Sequence, residues 1–182
     1  MKKVNLVETS LMTIFTILCI ACFPVNPLVL TGALETGYYL PSYIIGWIFW
    51  AVGMVLVMAP IITFPRRGGV ARGKSFVHTT RLVDTGIYSV VRHPQYLGGI
   101  LAVFLATPLF YPHWLFAVLG IPGILILYFG TIWEEKRLIQ RFGDDYVSYM
   151  KRVPRMNIIQ GIIRRWREQK RQVNGRVDKI YF

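Results

Sequence analysis

Acidic residues are scarce in this chain: nine Asp and Glu stand against 21 Lys and Arg, for a formal charge of +12. Charge of either sign is itself thin, at 16% of 182 residues, where roughly 25% is usual for a soluble domain. With 54% hydrophobic residues, the composition argues against an ordinary soluble protein and for a membrane protein. Cysteine is limited to Cys19 and Cys22. Their spacing is that of a redox pair, but they lie inside an apolar run where a thiolate is strongly disfavoured, so they are expected to be packing residues. Repeats, low-complexity tracts and strand-like alternation are all absent, which leaves an all-α chain.

The most informative absence is positional. Lys and Arg fall into three blocks: Lys2 and Lys3; then Arg66, Arg67, Arg72, Lys74, Arg81 and Arg92; then thirteen between Lys136 and Lys179. None occurs from Val4 to Pro65 or from His93 to Glu135. A helix crosses the hydrocarbon layer with about 20 apolar residues, and a central Lys or Arg costs about 2.5–3.5 kcal/mol. The basic-free gaps are therefore where the bilayer sits. Leu11–Leu30 and Tyr43–Phe64 fit the first gap, and Tyr96–Leu109 and Trp114–Trp133 fit the second.

Basic loops remain cytoplasmic, so three basic blocks on one side require an even number of crossings. The expected architecture is a polytopic helix bundle of about four spans, with both termini and the polar loop cytoplasmic. The first segment also has the outline of a cleavable leader. Its apolar run to Leu30 is long for one, and it is expected to be retained. Three regions result: a transmembrane pair over 1–65; a cytoplasmic loop, a transmembrane hairpin and the charged motifs over 66–155; and a basic tail over 156–182. The bilayer is the expected partner, and no nucleic-acid partner or metal site is expected.

Against this background "YSVVRHPQYLGG" (Tyr88–Gly99) is unusual, because it sets Arg-His-Pro at the mouth of an apolar segment. Pro94 restrains His93 to an extended backbone and suits the first position of a helix. A helix N-terminus favours anions, and Arg92 adds a fixed positive charge. Upstream, Asp84-Thr85-Gly86 is a turn signal.

The last span runs into Glu134 and Glu135, which on a helix point about 100° apart. Glu134 lies three residues before Arg137, a spacing for a surface ion pair worth a few tenths of a kcal/mol. Glu135 precedes Leu138 and Phe142 on an apolar stripe and is expected to face inward. Acids at a helix C-terminus oppose the dipole, so this pair is not a choice for helix stability. Gly143 is expected to close that helix, and Asp144 to cap a short one carrying Tyr146 and Tyr149. In the tail, Ile158, Ile159, Ile162, Ile163 and Trp166 recur at helical spacing among Arg164, Arg165, Arg167, Lys170 and Arg171. That pattern predicts an amphipathic surface helix that binds anionic lipid.

Taken together, "GIYSVVRHPQYLGG" (Gly86–Gly99) and "EEKRLIQRFGDDYVSYMKRVPR" (Glu134–Arg155) resemble the superfamily of membrane methyltransferases that includes the isoprenylcysteine carboxyl methyltransferases and the phospholipid N-methyltransferases. The resemblance covers roughly the C-terminal half up to Arg155; the N-terminal spans carry no matching motif. It implies S-adenosylmethionine bound at the cytoplasmic membrane face. Leu82, Val83, Gly86, Ile87 and Tyr88 would line the cofactor, and His93, Tyr96 and Gly98 would shape its pocket. Glu134 and Glu135 would be the paired acids, with Tyr146, Tyr149 and Arg155 on the closing segment.

Arg92, His93 and Glu135 are the candidate catalytic residues. An amine acceptor must lose a proton, for which Glu135 or His93 would serve, whereas a carboxylate acceptor needs an Arg to hold it. A phospholipid amine, a prenylcysteine-like carboxylate and a small hydrophobic thiol or acid are all open as acceptors. Two other readings compete. A membrane reductase of the sterol-reductase type has a similar Arg-His-Pro block but uses NADPH, and the intact Glu-Glu pair and short chain favour methyl transfer over it. A non-enzymatic membrane scaffold is the other.

Overall fold

The structure, a computed structural model, describes residues 14, 17–23, 26–69 and 80–181, with side chains through Arg171 apart from that of Pro27. Lys2, Lys3, Arg72, Lys74 and several residues of the expected Leu11–Leu30 span lie outside the described residues. Among the described residues every regular element is helical and none is a strand. The larger helices are α1 (Leu40–Arg67), α2 (Pro94–Phe110), α3 (Trp114–Phe142), α4 (Asp144–Arg152) and α5 (Ile158–Tyr181).

Helices α1 and α3, of 28 and 29 residues, are long and apolar enough to cross a membrane. They contain the expected spans Tyr43–Phe64 and Trp114–Trp133. Only 22% of each apolar window is buried, so most of this hydrophobic surface faces outward, the reverse of a core helix in a soluble protein. Helix α1 carries Pro41 in its first turn, where the missing N–H leaves no bond unmade. It ends on Arg66 and Arg67, whose charges complement the C-terminal dipole. Helix α2 begins at Pro94 and contains the expected Tyr96–Leu109 segment. It is α-helical to Gly99, widens into a π-helical stretch over Ile100–Leu105, and returns to α-helix over Ala106–Phe110. It is shorter than the two long helices.

The chain divides into two compact units, residues 1–58 with 95–134 and residues 59–94 with 135–182. In the first, α1 and α2 cross on glycine. A Cβ on Gly98 would lie 2.5 Å from the Gly53 carbonyl oxygen, and one on Gly53 would lie 2.7 Å from the Ala102 amide nitrogen. Close backbone approach of this kind is how small residues hold membrane helices together. Leu18, Cys22 and Phe104 form a buried cluster, and the Thr107 hydroxyl donates to the Cys22 carbonyl. Both cysteines are free thiols, and Cys22 is fully buried in this packing. Phe110 meets Tyr43 and Trp47 edge-on, with ring centroids 5.5 and 5.2 Å apart.

In the second unit, Tyr146, Tyr149 and Val153 form a buried cluster with Leu82, Leu138, Phe142 and Met150 around it. Gly143, at φ +57°, closes α3 by donating its amide N–H to the Ile139 carbonyl at 2.8 Å and also occupies the cap position of α4. Asp144, expected as that cap, instead lies with Asp145 in the first turn, where its charge acts through the helix dipole. The cap of α5 is Asn157, whose Oδ1 accepts the Gln160 amide at 3.0 Å.

Candidate active site

The segment leading to the Arg-His-Pro block is built from its turn. Gly86 sits at φ +65°, a conformation that needs no Cβ, and starts a 3-10 turn over Gly86–Ser89. The Ser89 hydroxyl donates to the Gly86 carbonyl at 2.6 Å. Arg67 reaches the Thr85 hydroxyl at 2.7 Å. Tyr88 is buried and stacks on Phe64 with centroids 5.1 Å apart. Its carbonyl accepts the Tyr149 hydroxyl at 2.6 Å. Burial pushes the Tyr149 phenol above its ordinary range, so it keeps the proton that this bond requires. We expect Tyr149→Phe to cost about 0.5–1.5 kcal/mol, the net worth of one hydrogen bond, measured by denaturant titration in detergent.

The centre of the site is the Glu135 carboxylate, 3% exposed. Arg92 Nη2 lies 2.8 Å from Oε1, and His93 Nε2 lies 3.3 Å from the same oxygen. Arg155 Nη2 is 2.6 Å from Oε2, and its Nε is 3.1 Å from both oxygens. Such a fork on a carboxylate is the geometry that guanidinium provides and ammonium does not. Arg92 and His93 are also tied by main chain, their amides donating to the Pro154 and Arg155 carbonyls at 3.0 and 3.2 Å. Arg92 Nη1 donates to the Met150 and Val153 carbonyls at 2.6 and 2.8 Å. Residues 92–93, 135 and 150–155 thus form one hydrogen-bonded cluster.

This arrangement differs from the simplest reading of the charges. Arg92 and His93 were expected to hold an anion apart from the acids, yet both converge on Glu135. The physical reason is that a carboxylate this deeply buried must be matched by donors, and these are the nearest ones. Leu82 packs against the Tyr146–Tyr149 cluster, and Val83 is buried. Glu134 is half-buried and, with Tyr96 and Gly98, belongs to the other unit. There Gly98 serves the helix crossing, and Tyr96 lies 3.4 Å from where a Gly130 Cβ would stand.

Sequence reasoning passed over the Met150 and Val153 carbonyls. A signal for the second was available, since Pro154 biases Val153 away from the helix, and its backbone is extended at φ −110° and ψ 130°.

Residues 41–145, more than half of the chain, match the sequence model of the family described as phospholipid methyltransferase. Methanethiol S-methyltransferase of Pseudomonas deceptionensis is 32% identical over 112 residues, covering 59% of this chain and 41% of that protein. Methanethiol S-methyltransferase 1 of Bradyrhizobium diazoefficiens is 40% identical over 67 residues, covering 37% of this chain and 22% of that protein. Protein-S-isoprenylcysteine O-methyltransferase of Homo sapiens is 32% identical over 100 residues, covering 47% of this chain and 29% of that protein. The chain spans less than half the length of each of these relatives. No solved structure matches it.

Proposed function

The chain belongs to the phospholipid methyltransferase family, and from that membership we propose that it is an integral membrane methyltransferase using S-adenosylmethionine and acting on a lipidic or small hydrophobic acceptor. In this reading four spans place both termini and the site at the cytoplasmic face, and the acceptor reaches the site from the bilayer. The observation that carries the site assignment is the buried Glu135 carboxylate, set against two arginines and a histidine just beyond the apolar part of α3.

The residues present fit the cofactor. It is a zwitterion with a carboxylate at one end and ammonium and sulfonium charge nearby. Glu135 supplies the anionic partner. Tyr88 Oη and Arg92 Nε are buried without a hydrogen-bond partner among the described residues, so each has a donor to offer an acceptor atom of the cofactor. When bound, S-adenosylmethionine supplies a methyl group made electrophilic by a positively charged sulfur. What the chain contributes is position and dryness; holding reactants in line in a water-excluded site corresponds to effective molarities of order 10⁵ M or more.

For an acceptor that gives up a proton, such as an amine or a thiol, the His93–Glu135 pair provides the base. For a carboxylate acceptor no base is needed, and Arg155, 27% exposed at its side chain, provides the partner. The relatives named for methanethiol and for isoprenylcysteine bring a thiol and a carboxylate into this range.

Calorimetric titration of the detergent-purified protein with S-adenosylmethionine tests the reading, together with mass spectrometry of lipids and thiols incubated with it. We expect binding by the native chain and about tenfold weaker binding by His93→Ala, equivalent to about 1.4 kcal/mol. Retention of NADPH with no uptake of S-adenosylmethionine would replace methyl transfer by reduction.

A further inference from the structure

Helix α5 has two faces with different surroundings. Gly161 is buried against the main chain of Val90, so closely that a Cβ would collide with the Val90 carbonyl oxygen. One turn on, the Arg164 guanidinium donates to the Ser89 carbonyl and pairs with Glu168 at 2.7 Å. Ser89 and Val90 lead directly into Arg92 and His93, whose amides are bonded to Pro154 and Arg155. The inner face of α5 therefore rests on the segment that positions the Glu135 cluster.

The outer face is apolar and uncovered. Ile159, Ile162, Ile163 and Trp166 are 69, 55, 45 and 55% exposed. At about 100° per residue they fall within roughly a 100° arc, turned away from Gly161 and Arg164. Exposed Arg165, Arg167, Lys170 and Arg171 accompany the stripe, and Lys170 Nζ sits 3.8 Å above the Trp166 ring. An apolar stripe bordered by cations matches a bilayer surface of anionic phospholipid, which takes the apolar side chains below its headgroups and the bases among its phosphates. A protein groove would need acidic lining, and the excess of basic charge here favours the lipid.

We propose that α5 docks on anionic phospholipid and that docking stiffens the Ser89–His93 segment, so that lipid charge regulates the site. The inference rests on the membrane placement argued above, and not on which acceptor is methylated. Attraction between the bases and the surface is transmitted through two contacts, Gly161 on Val90 and Arg164 on Ser89. Neither contact involves a flexible side-chain end on the receiving side, because both land on backbone carbonyls.

The test is hydrogen exchange on the full chain in nanodiscs of phosphatidylcholine alone and of phosphatidylcholine with phosphatidylglycerol. The amides of Arg92 and His93 are expected to exchange about tenfold more slowly in the anionic discs, and the difference should fade in high salt. The combined variant R165Q/R167Q/K170Q/R171Q should exchange alike in both discs. Arg164→Gln should keep α5 protected in anionic discs while losing the slowing at Arg92 and His93. Equal exchange by the native chain in both discs, or a lipid response that survives the combined variant, would overturn the proposal. S-adenosylmethionine binding measured in the same discs separates the two ideas. Lipid-dependent exchange without cofactor binding leaves the coupling standing and removes the methyltransferase reading. Cofactor binding without lipid-dependent exchange does the reverse.

Discussion

Glu135→Gln is expected to cost about 3–5 kcal/mol of stability, the scale on which neutralising one partner of a buried ion pair leaves the other charge uncompensated. The side chain keeps its shape, so packing loss is not the cause. Arg92 is the group left exposed to the penalty. Its side chain is 8% exposed, and Nη2 loses its anion while Nη1 retains the Met150 and Val153 carbonyls. Arg155 contributes less, because at 27% side-chain exposure it can turn toward water.

Cofactor affinity in whatever fraction remains folded should fall by about 1.5–3 kcal/mol, the range for a hydrogen bond to a charged group. Glu134→Gln is the comparison: this carboxylate is half-buried where Glu135 is buried, and the change should alter both quantities by less than about 1 kcal/mol. Denaturant titration in detergent, followed by calorimetry with S-adenosylmethionine, measures the two effects separately. A fully stable Glu135→Gln protein with native affinity would mean that the cluster is not the site.

The second large effect concerns a position with no charge. Gly98→Val should destabilise the protein by about 3 kcal/mol, the upper end for overpacking, because its Cβ would meet the Gly53 carbonyl oxygen at 2.5 Å and the Val57 amide nitrogen at 2.9 Å. Those neighbours are main chain and cannot rotate aside. The adjacent Gly99→Ala is the contrast. Its Cβ would lie 3.2 Å from Leu127 Cδ1, the end of a movable side chain, and alanine gains up to about 1 kcal/mol in helix propensity over glycine. An added Cβ is thus expected to be harmful at 98 and near neutral at 99, as read by thermal unfolding in detergent. Equal responses at the two positions would show that the crossing tolerates separation.

The two long helices were legible because a missing Lys or Arg is a strong signal over twenty residues, and every position in the window contributes to it. The glycine crossing was not, since a glycine in an apolar run announces small size but not its partner, and Gly53 and Gly98 are joined only through the fold. The charged cluster was partly legible. Glu135 lay on an apolar stripe, and the burial of its carboxylate agrees with that position. What Arg92 touches was not, because its partners at 135, 150 and 153 are brought to it by chain reversals that leave no local pattern. The role of Asp144 was misread by one residue, the ordinary error where a glycine can end one helix and open the next.

The π-helical stretch at Ile100–Leu105 bears on what length the chain can have there. A π turn holds one residue more than an α turn, so it absorbs a residue without changing the rotational phase between the two ends of α2. At one end Gly98 and Ala102 face Gly53; at the other Thr107 faces the Cys22 carbonyl. Removing a single residue between 100 and 105 would turn the wide turn into an ordinary α turn that makes the same full rotation, so the glycines and the threonine would keep nearly their present phase. Removing one from the regular stretch at Ala106–Phe110 has no such extra residue to absorb it and would turn one end by about 100° relative to the other, with a shift of about 1.5 Å along the axis. The wide turn is therefore the place in α2 where residue count has slack, so a single-residue deletion at 100–105 should be far less damaging than the same deletion a turn later.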